Sequence, residues 1–231
     1  MKTKVLLAAV LLVGLAASAQ AAGTIVGSKH DLASVGSNAK TGSIHSTSQN
    51  QTCVFCHAPH NAITNKLLWN RNYVAGATMK IYTSYNTAGM RAALGASNNS
   101  LGDDSSSLLC LSCHSITTAN VATVVTNTAN TKGGVDSGGA GAWATRTGNM
   151  TNLTNDHPVG IGYDLAIPQS SGGLQPVATV TGAGLRLFKS TAGGNNTMEC
   201  ASCHSVHDNT YPPFLVKSNN NSALCIVCHI K

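Results

Sequence analysis

The sequence predicts a mostly irregular fold, coil with short helices and few strands, built around something other than a large core of side chains. Three observations predict it. The pattern C-x-x-C-H occurs four times, at Cys53, Cys110, Cys200 and Cys225, and uses all eight cysteines of the 231-residue chain. Only 4% of residues are aromatic and 10% charged, while Gly, Ser, Thr, Asn and Ala abound, so side chains alone would bury too little apolar area to offset the entropy of ordering the backbone. Nine histidines are present, and only four of them lie in the repeated pattern.

Two cysteines three apart can form thioether bonds to the two vinyl groups of one haem, and the histidine that follows is then held against the iron. This assigns Cys53, Cys56, Cys110, Cys113, Cys200, Cys203, Cys225 and Cys228 as attachment points, and His57, His114, His204 and His229 as proximal ligands. One such pentapeptide is a weak signal; four that together consume every cysteine are a strong one. The spacing of the last two pairs approaches a zinc ribbon, but a ribbon needs no histidine after each pair. Four disulfides would likewise leave those histidines unexplained. The expected fold is therefore coil with short helices and few strands around four covalent haem c groups, whose flat apolar bodies supply much of the core.

The elements follow in order. Residues 1–21 read as a signal peptide: Lys2 and Lys4, an apolar run from Val5 to Ala17, then Ala19-Gln20-Ala21. Export agrees with haem attachment outside the bacterial cytoplasm, and no later segment reads as transmembrane. Residues 22–231 form the tetrahaem domain. The formal charge of +6 becomes about zero once the signal lysines are lost and four ferric haems add their propionates and iron. The chain has no basic stripe, so no nucleic-acid partner is expected.

Residues 23–52 are Gly/Ser-rich, with His30 and His45 isolated in them. The stretch L-L-W-N-R-N-Y after the first motif reads as packing laid over a haem face, with Trp69 and Tyr73 as wall. Residues 97–107 read as a surface loop, residues 116–130 as extended and residues 132–150 as glycine-rich loop. Pro158 biases His157 towards extended backbone. Residues 177–188 read as a hairpin turning at Thr181-Gly-Ala-Gly184.

An internal repeat relates motifs 53–114 to motifs 200–229. Each unit is C-x-x-C-H-x-x-H, an apolar patch ending in a basic residue (L-L-W-N-R or F-L-V-K), and Ser-x-Leu leading into the next motif. Five histidines, His30, His45, His60, His157 and His207, are candidates for four distal positions. His60 and His207 are strongest, since both fall at the same offset from a motif. Three residues span at most about 10 Å, so if His57 and His60 bind different irons, those haems nearly touch. His157 is supported by its D-H-P-V-G setting and His30 by its place upstream of the first motif; His45, among small polar residues, is the weakest. Met79, Met90, Met150 and Met198 are alternative ligands that the histidine count makes unnecessary.

With S-K-H-D-L, C-V-F-C-H-A-P-H-N-A, L-W-N-R, N-D-H-P-V-G and E-C-A-S-C-H-S-V-H in this order, the chain resembles the doubled C-x-x-C-H multihaem cytochromes of metal-reducing bacteria, the tetrahaem outer-surface filament cytochromes among them. The resemblance implies bis-histidine haems in a closely packed row, with His30, His60, His157 and His207 as distal ligands. It also implies head-to-tail homopolymers that carry electrons outside the cell to other multihaem cytochromes or extracellular acceptors. The expected function is electron transfer, not enzymatic catalysis, at the cell surface or alternatively in the periplasm as a soluble shuttle. A reductase with one open haem is the competing class. Since the first and fourth motifs stand near opposite ends of the sequence, His60 is a candidate to complete the fourth haem of a neighbouring subunit.

Overall fold

A computed structural model describes residues 25–33, 46, 50–58, 60, 62, 67–71, 101–115, 150, 152–153, 156–191 and 193–231. The signal peptide, His45, Tyr73, Met79, Met90 and residues 116–130 and 132–149 lie outside the described residues. Regular structure is short throughout. Helix α1 covers Ser107–His114, α2 Tyr163–Ala166, α3 Val177–Gly182 and α4 Cys200–Cys203. Strands β1 (Ile161–Gly162), β2 (Phe188–Ser190) and β3 (Gly194–Met198) form an antiparallel sheet in the order β1-β3-β2. Its registers are Ile161↔Met198 and Phe188↔Thr197, with an irregularity between Phe188 and Ser190.

Two apolar clusters hold these elements. Leu108 and Leu111 of α1 pack with Leu101 and Leu153, and Met150 lies against them. The larger cluster joins Tyr163, Val180, Leu185 and Met198 to Leu224, Val227 and Cys228. The Tyr163 hydroxyl donates to Gln175 O at 2.9 Å and to Cys228 O at 3.2 Å, tying the last motif to the middle of the chain. Met150 and Met198 thus serve as packing. No helix among the described residues is long and apolar enough to cross a membrane.

The hairpin expected over residues 177–188 is not formed. Val177–Gly182 is helical, and Phe188 pairs with β3 instead. Val, Thr and Val favour a strand on propensity, but the carbonyl of Pro176, at the N-cap (φ −58, ψ 148), accepts from Thr179 and Val180 N–H at 3.0 and 3.2 Å, and Val180 is wholly buried. The Thr-Gly-Ala-Gly signal is the helix's end. Gly184 (φ 93) is left-handed, with Leu185 N–H donating to Val180 O at 3.3 Å and Gly184 N–H to Thr181 O at 3.0 Å. That is a Schellman cap, completed by Leu185 and Val180 meeting in the core.

The loop before α1 also differs from its reading as surface. Leu101, Ser105 and Ser107 are buried. Asp103 and Asp104 remain exposed, and Asp104 accepts from Thr191 N at 3.0 and 2.9 Å, anchoring the loop to the end of β2.

Candidate functional site

Three of the four C-x-x-C-H motifs share one local geometry. Each winds a single helical turn, closed by His57 N–H to Cys53 O at 2.9 Å, His204 N–H to Cys200 O at 3.0 Å and His229 N–H to Cys225 O at 3.0 Å. Residues i, i+3 and i+4 of a helical turn lie on one face, so both thiols and the imidazole project to the same side. The second motif occupies α1, where its apolar residues face the leucine cluster.

A second segment then clamps each of these three turns. Ala58 N–H donates to Leu68 O (2.8 Å) and Asn70 N–H to Cys56 O (2.9 Å). The third motif repeats this with Ser205 to Phe214 O (2.7 Å) and Val216 to Cys203 O (2.9 Å), and the fourth with Ile230 to Gly173 O (2.9 Å) and Gln175 to Cys228 O (2.8 Å). The first two clamps are the apolar patches of the internal repeat. Leu68 (φ 54) and Phe214 (φ 61) occupy equivalent places with the same left-handed backbone. Arg71, which ends the first patch, is buried and donates Nε–H to Phe55 O at 2.7 Å; Asn70 Nδ2 donates to Val54 O at 2.6 Å. The carbonyls left free by the short turn are thereby satisfied.

The clamps orient the imidazoles. His57 Nδ1 meets Leu67 O at 2.7 Å and His204 Nδ1 meets Pro213 O at 3.0 Å, while His157 Nδ1 meets Pro158 O at 3.1 Å. A carbonyl only accepts, so Nδ1 carries the proton and Nε2 keeps its lone pair for a metal. Trp69 stands edge-on to His57 at 5.9 Å and donates Nε1–H to Ser112 Oγ at 3.1 Å, a wall between the first two motifs.

Proximal and distal candidates meet in pairs. Ring centroids of His57 and His207 are 6.1 Å apart, those of His30 and His114 6.1 Å, and those of His157 and His229 6.3 Å. An imidazole nitrogen binds a first-row metal at about 2 Å and lies about 1 Å from its ring centre, so two rings on opposite faces of one iron stand about 6 Å apart. Every pair joins one motif histidine with one outside the motifs. Among the described residues there is no cluster of three or more His, Cys, Asp or Glu suited to a metal ion.

His30 is set by the S-K-H-D-L turn. Asp31 is buried, accepting from Gly27 N–H and Thr52 Oγ1–H at 2.8 Å each, so the turn is tied to the residue before Cys53. The ring lies over Phe214 at 4.5 Å, and its Nδ1 is buried without a hydrogen-bond partner. Burial, then His114 and His204, push His30 down to about 4, and burial with His157 and Lys231 lowers His229. Both rings are therefore neutral at pH 7, the form that ligates.

His204 is not seen in such a pair. No ring faces His204 among the described residues, and His60 is exposed. His157 faces His229 within the chain, at the motif where a neighbour's histidine was expected. The place that remains is opposite His204.

Burial pushes the Cys56 thiol up to about 12 and that of Cys203 to about 11. Cys110 is hydrogen-bonded to Cys200, and Cys203 is within electrostatic reach of Cys228. The third motif therefore adjoins the second and fourth directly, and the first through His207. Of the large apolar side chains left exposed, Leu67, Leu68, Val206, Tyr211, Ile226 and Ile230 lie in or beside motifs and clamps, while Val26 and Leu165 do not. This is the surface that a flat apolar cofactor would cover, and the residues present fit covalent haem.

Sequence reasoning missed Phe214 as a neighbour of His30 and missed the buried Glu199 before Cys200. The comparisons agree with the geometry. No curated protein matches the chain. Residues 193–231, which carry the third and fourth motifs and the clamp of the third, match the family model described as the doubled CXXCH motif. That match, on top of two further complete motifs upstream, supports a multihaem c-type cytochrome with covalently bound haem c.

Proposed function

We propose that the chain carries four haem c groups in a closely packed row, holds their irons between histidine pairs, and conducts electrons as a subunit of an exported extracellular filament. The observation that carries this reading is the set of three ring pairs spaced at 6.1–6.3 Å. Bound haem supplies a one-electron iron couple. The protein's part would be to supply a histidine to each side of the iron at His57/His207, His30/His114 and His157/His229, leaving no site for a substrate there, and to keep successive haems close enough for electron transfer. His57/His207, His30/His114 and His157/His229 are the pairs assigned. His207 lies three residues from His204, so the first and third haems are close neighbours. The carbonyl bonds to Nδ1 of His57 and His204 make these rings stronger donors, which favours ferric iron and a low potential.

His60 of an adjacent subunit is the proposed partner of His204. One bond would then both join two subunits and bring their haems together, and the contact would repeat head to tail without closing. His60→Ala is expected to yield folded monomers in which the haem at His204 takes up added imidazole. Filaments of normal length from that variant would refute the contact. A second reading, a reductase with one open haem, is favoured by the same lack of a facing ring at His204. Stoichiometric binding of cyanide to the assembled native protein would establish it, and absence of binding would exclude it.

A further inference from the structure

Glu199 precedes the third motif and is 1% exposed. Its side chain caps α4 by accepting from the Ser202 backbone N–H, while the Ser202 hydroxyl accepts from Glu199 N–H at 3.0 Å. Oε2 accepts from Ser105 Oγ at 2.7 Å, from Ser107 N at 3.2 Å and from Ser107 Oγ, whereas Oε1 is buried with no hydrogen-bond partner. The same Ser107 Oγ accepts from Cys200 N at 3.0 Å, so the cluster stitches the start of α1 to the start of α4. A buried carboxylate with one oxygen bare is poorly solvated as an anion, and burial raises its proton affinity against the opposing serine bonds.

The titratable groups facing it are few. Asp104 lies within electrostatic reach from the loop before α1, Cys110 from α1 and Cys200 from α4. Haem attachment turns both thiols into thioethers, which do not titrate. Asp104 suffers some desolvation, yet hydrogen bonds from Thr191 and Ser190 outweigh it and hold the carboxylate below its usual range. Glu199, with its bare and buried Oε1, is thus the group of this cluster whose proton affinity burial raises.

We propose that Glu199 is a redox-linked proton site for the haems held at Cys110 and Cys200. One electron arriving from a reduced neighbouring haem converts one ferric iron to ferrous, and one proton from solvent converts the Glu199 carboxylate to a carboxylic acid. Both leave together on reoxidation. Oε2 keeps its serine donors in either state, so the proton goes to the bare Oε1. The charge added next to the carboxylate is the physical cause, since an electron on either haem makes the anion less favourable in a medium of low dielectric.

This inference rests on the assignment of haems to the second and third motifs, and the test separates the two. Holoprotein is prepared as wild type and Glu199→Gln, haem is counted by pyridine haemochrome, and reduced-minus-oxidised infrared spectra are recorded in H2O and D2O with dithionite as reductant. The expected result is a carboxylic acid band on reduction of the wild type that shifts in D2O and is missing from Glu199→Gln. Alongside it, one midpoint potential should fall with rising pH in the wild type and lose that slope in the variant. A full haem count without such a band in the wild type, or with the same band in Glu199→Gln, would overturn the proton site alone. A haem count lacking the second or third motif would overturn the underlying assignment and this inference with it. Should the variant fail to fold, the wild-type band still decides.

Discussion

Replacing His207 with Ala tests the pairing at its widest sequence separation. His207 is exposed, and its ring faces His57 at 6.1 Å with the planes 19° apart. Among the described residues, the other aromatic side chain against His57 is Trp69, whose indole cannot ligate iron. The variant should therefore leave one iron of four five-coordinate, so about a quarter of the haem becomes high-spin at neutral pH. Folding should barely change, since substitutions at exposed positions cost about 0.5 kcal/mol or less. The assay is electron paramagnetic resonance of the ferric protein, followed by titration with imidazole. The high-spin signal should appear and then be abolished by one equivalent of bound imidazole. A wholly low-spin spectrum in the variant would refute His207 as a ligand, and loss of several haems at once would show that it acts in folding instead.

Two further substitutions test the scaffold. Val180→Ala removes two carbons from a fully buried site in the larger cluster, and should cost about 2 kcal/mol and lower the thermal midpoint by about 4–8 °C. Gly160→Ala places a Cβ at a left-handed φ of 72° against Leu101 Cδ2, and should cost about 2–4 kcal/mol. Because Gly160 N–H also donates to Met198 O at 2.7 Å, the same change should disturb the His157 axial position, visible as a partial loss of low-spin haem.

What could be read from the sequence was what chemistry writes locally. The motif turns follow from residues three and four apart, and the repeated apolar patches proved to be matching clamps because each must return its backbone to a motif beside it. His157 lies outside any helix, as expected of the residue before a proline, whose ring disfavours the helical conformation there. What depended on distant contacts was hidden. Nothing near His57 names His207, and Glu199 looks like any acidic residue until Ser105 and Ser107, more than 90 positions earlier, fold against it. One clue was present: only eight acidic residues occur in the chain, and one stands directly before a haem motif. The helix at Val177–Gly182 misled for the opposite reason. Its β-branched residues outweigh local preference for a helix, and burial of Val180 with the cap at Gly184 decided otherwise.

Cysteine occupancy tests the central claim most directly. The purified protein is denatured, treated with a thiol-alkylating reagent, and weighed intact by mass spectrometry. The account predicts a mass increased by four haems with none of the eight cysteines alkylated. A chain with any motif carrying two alkylated thiols and no haem would contradict it.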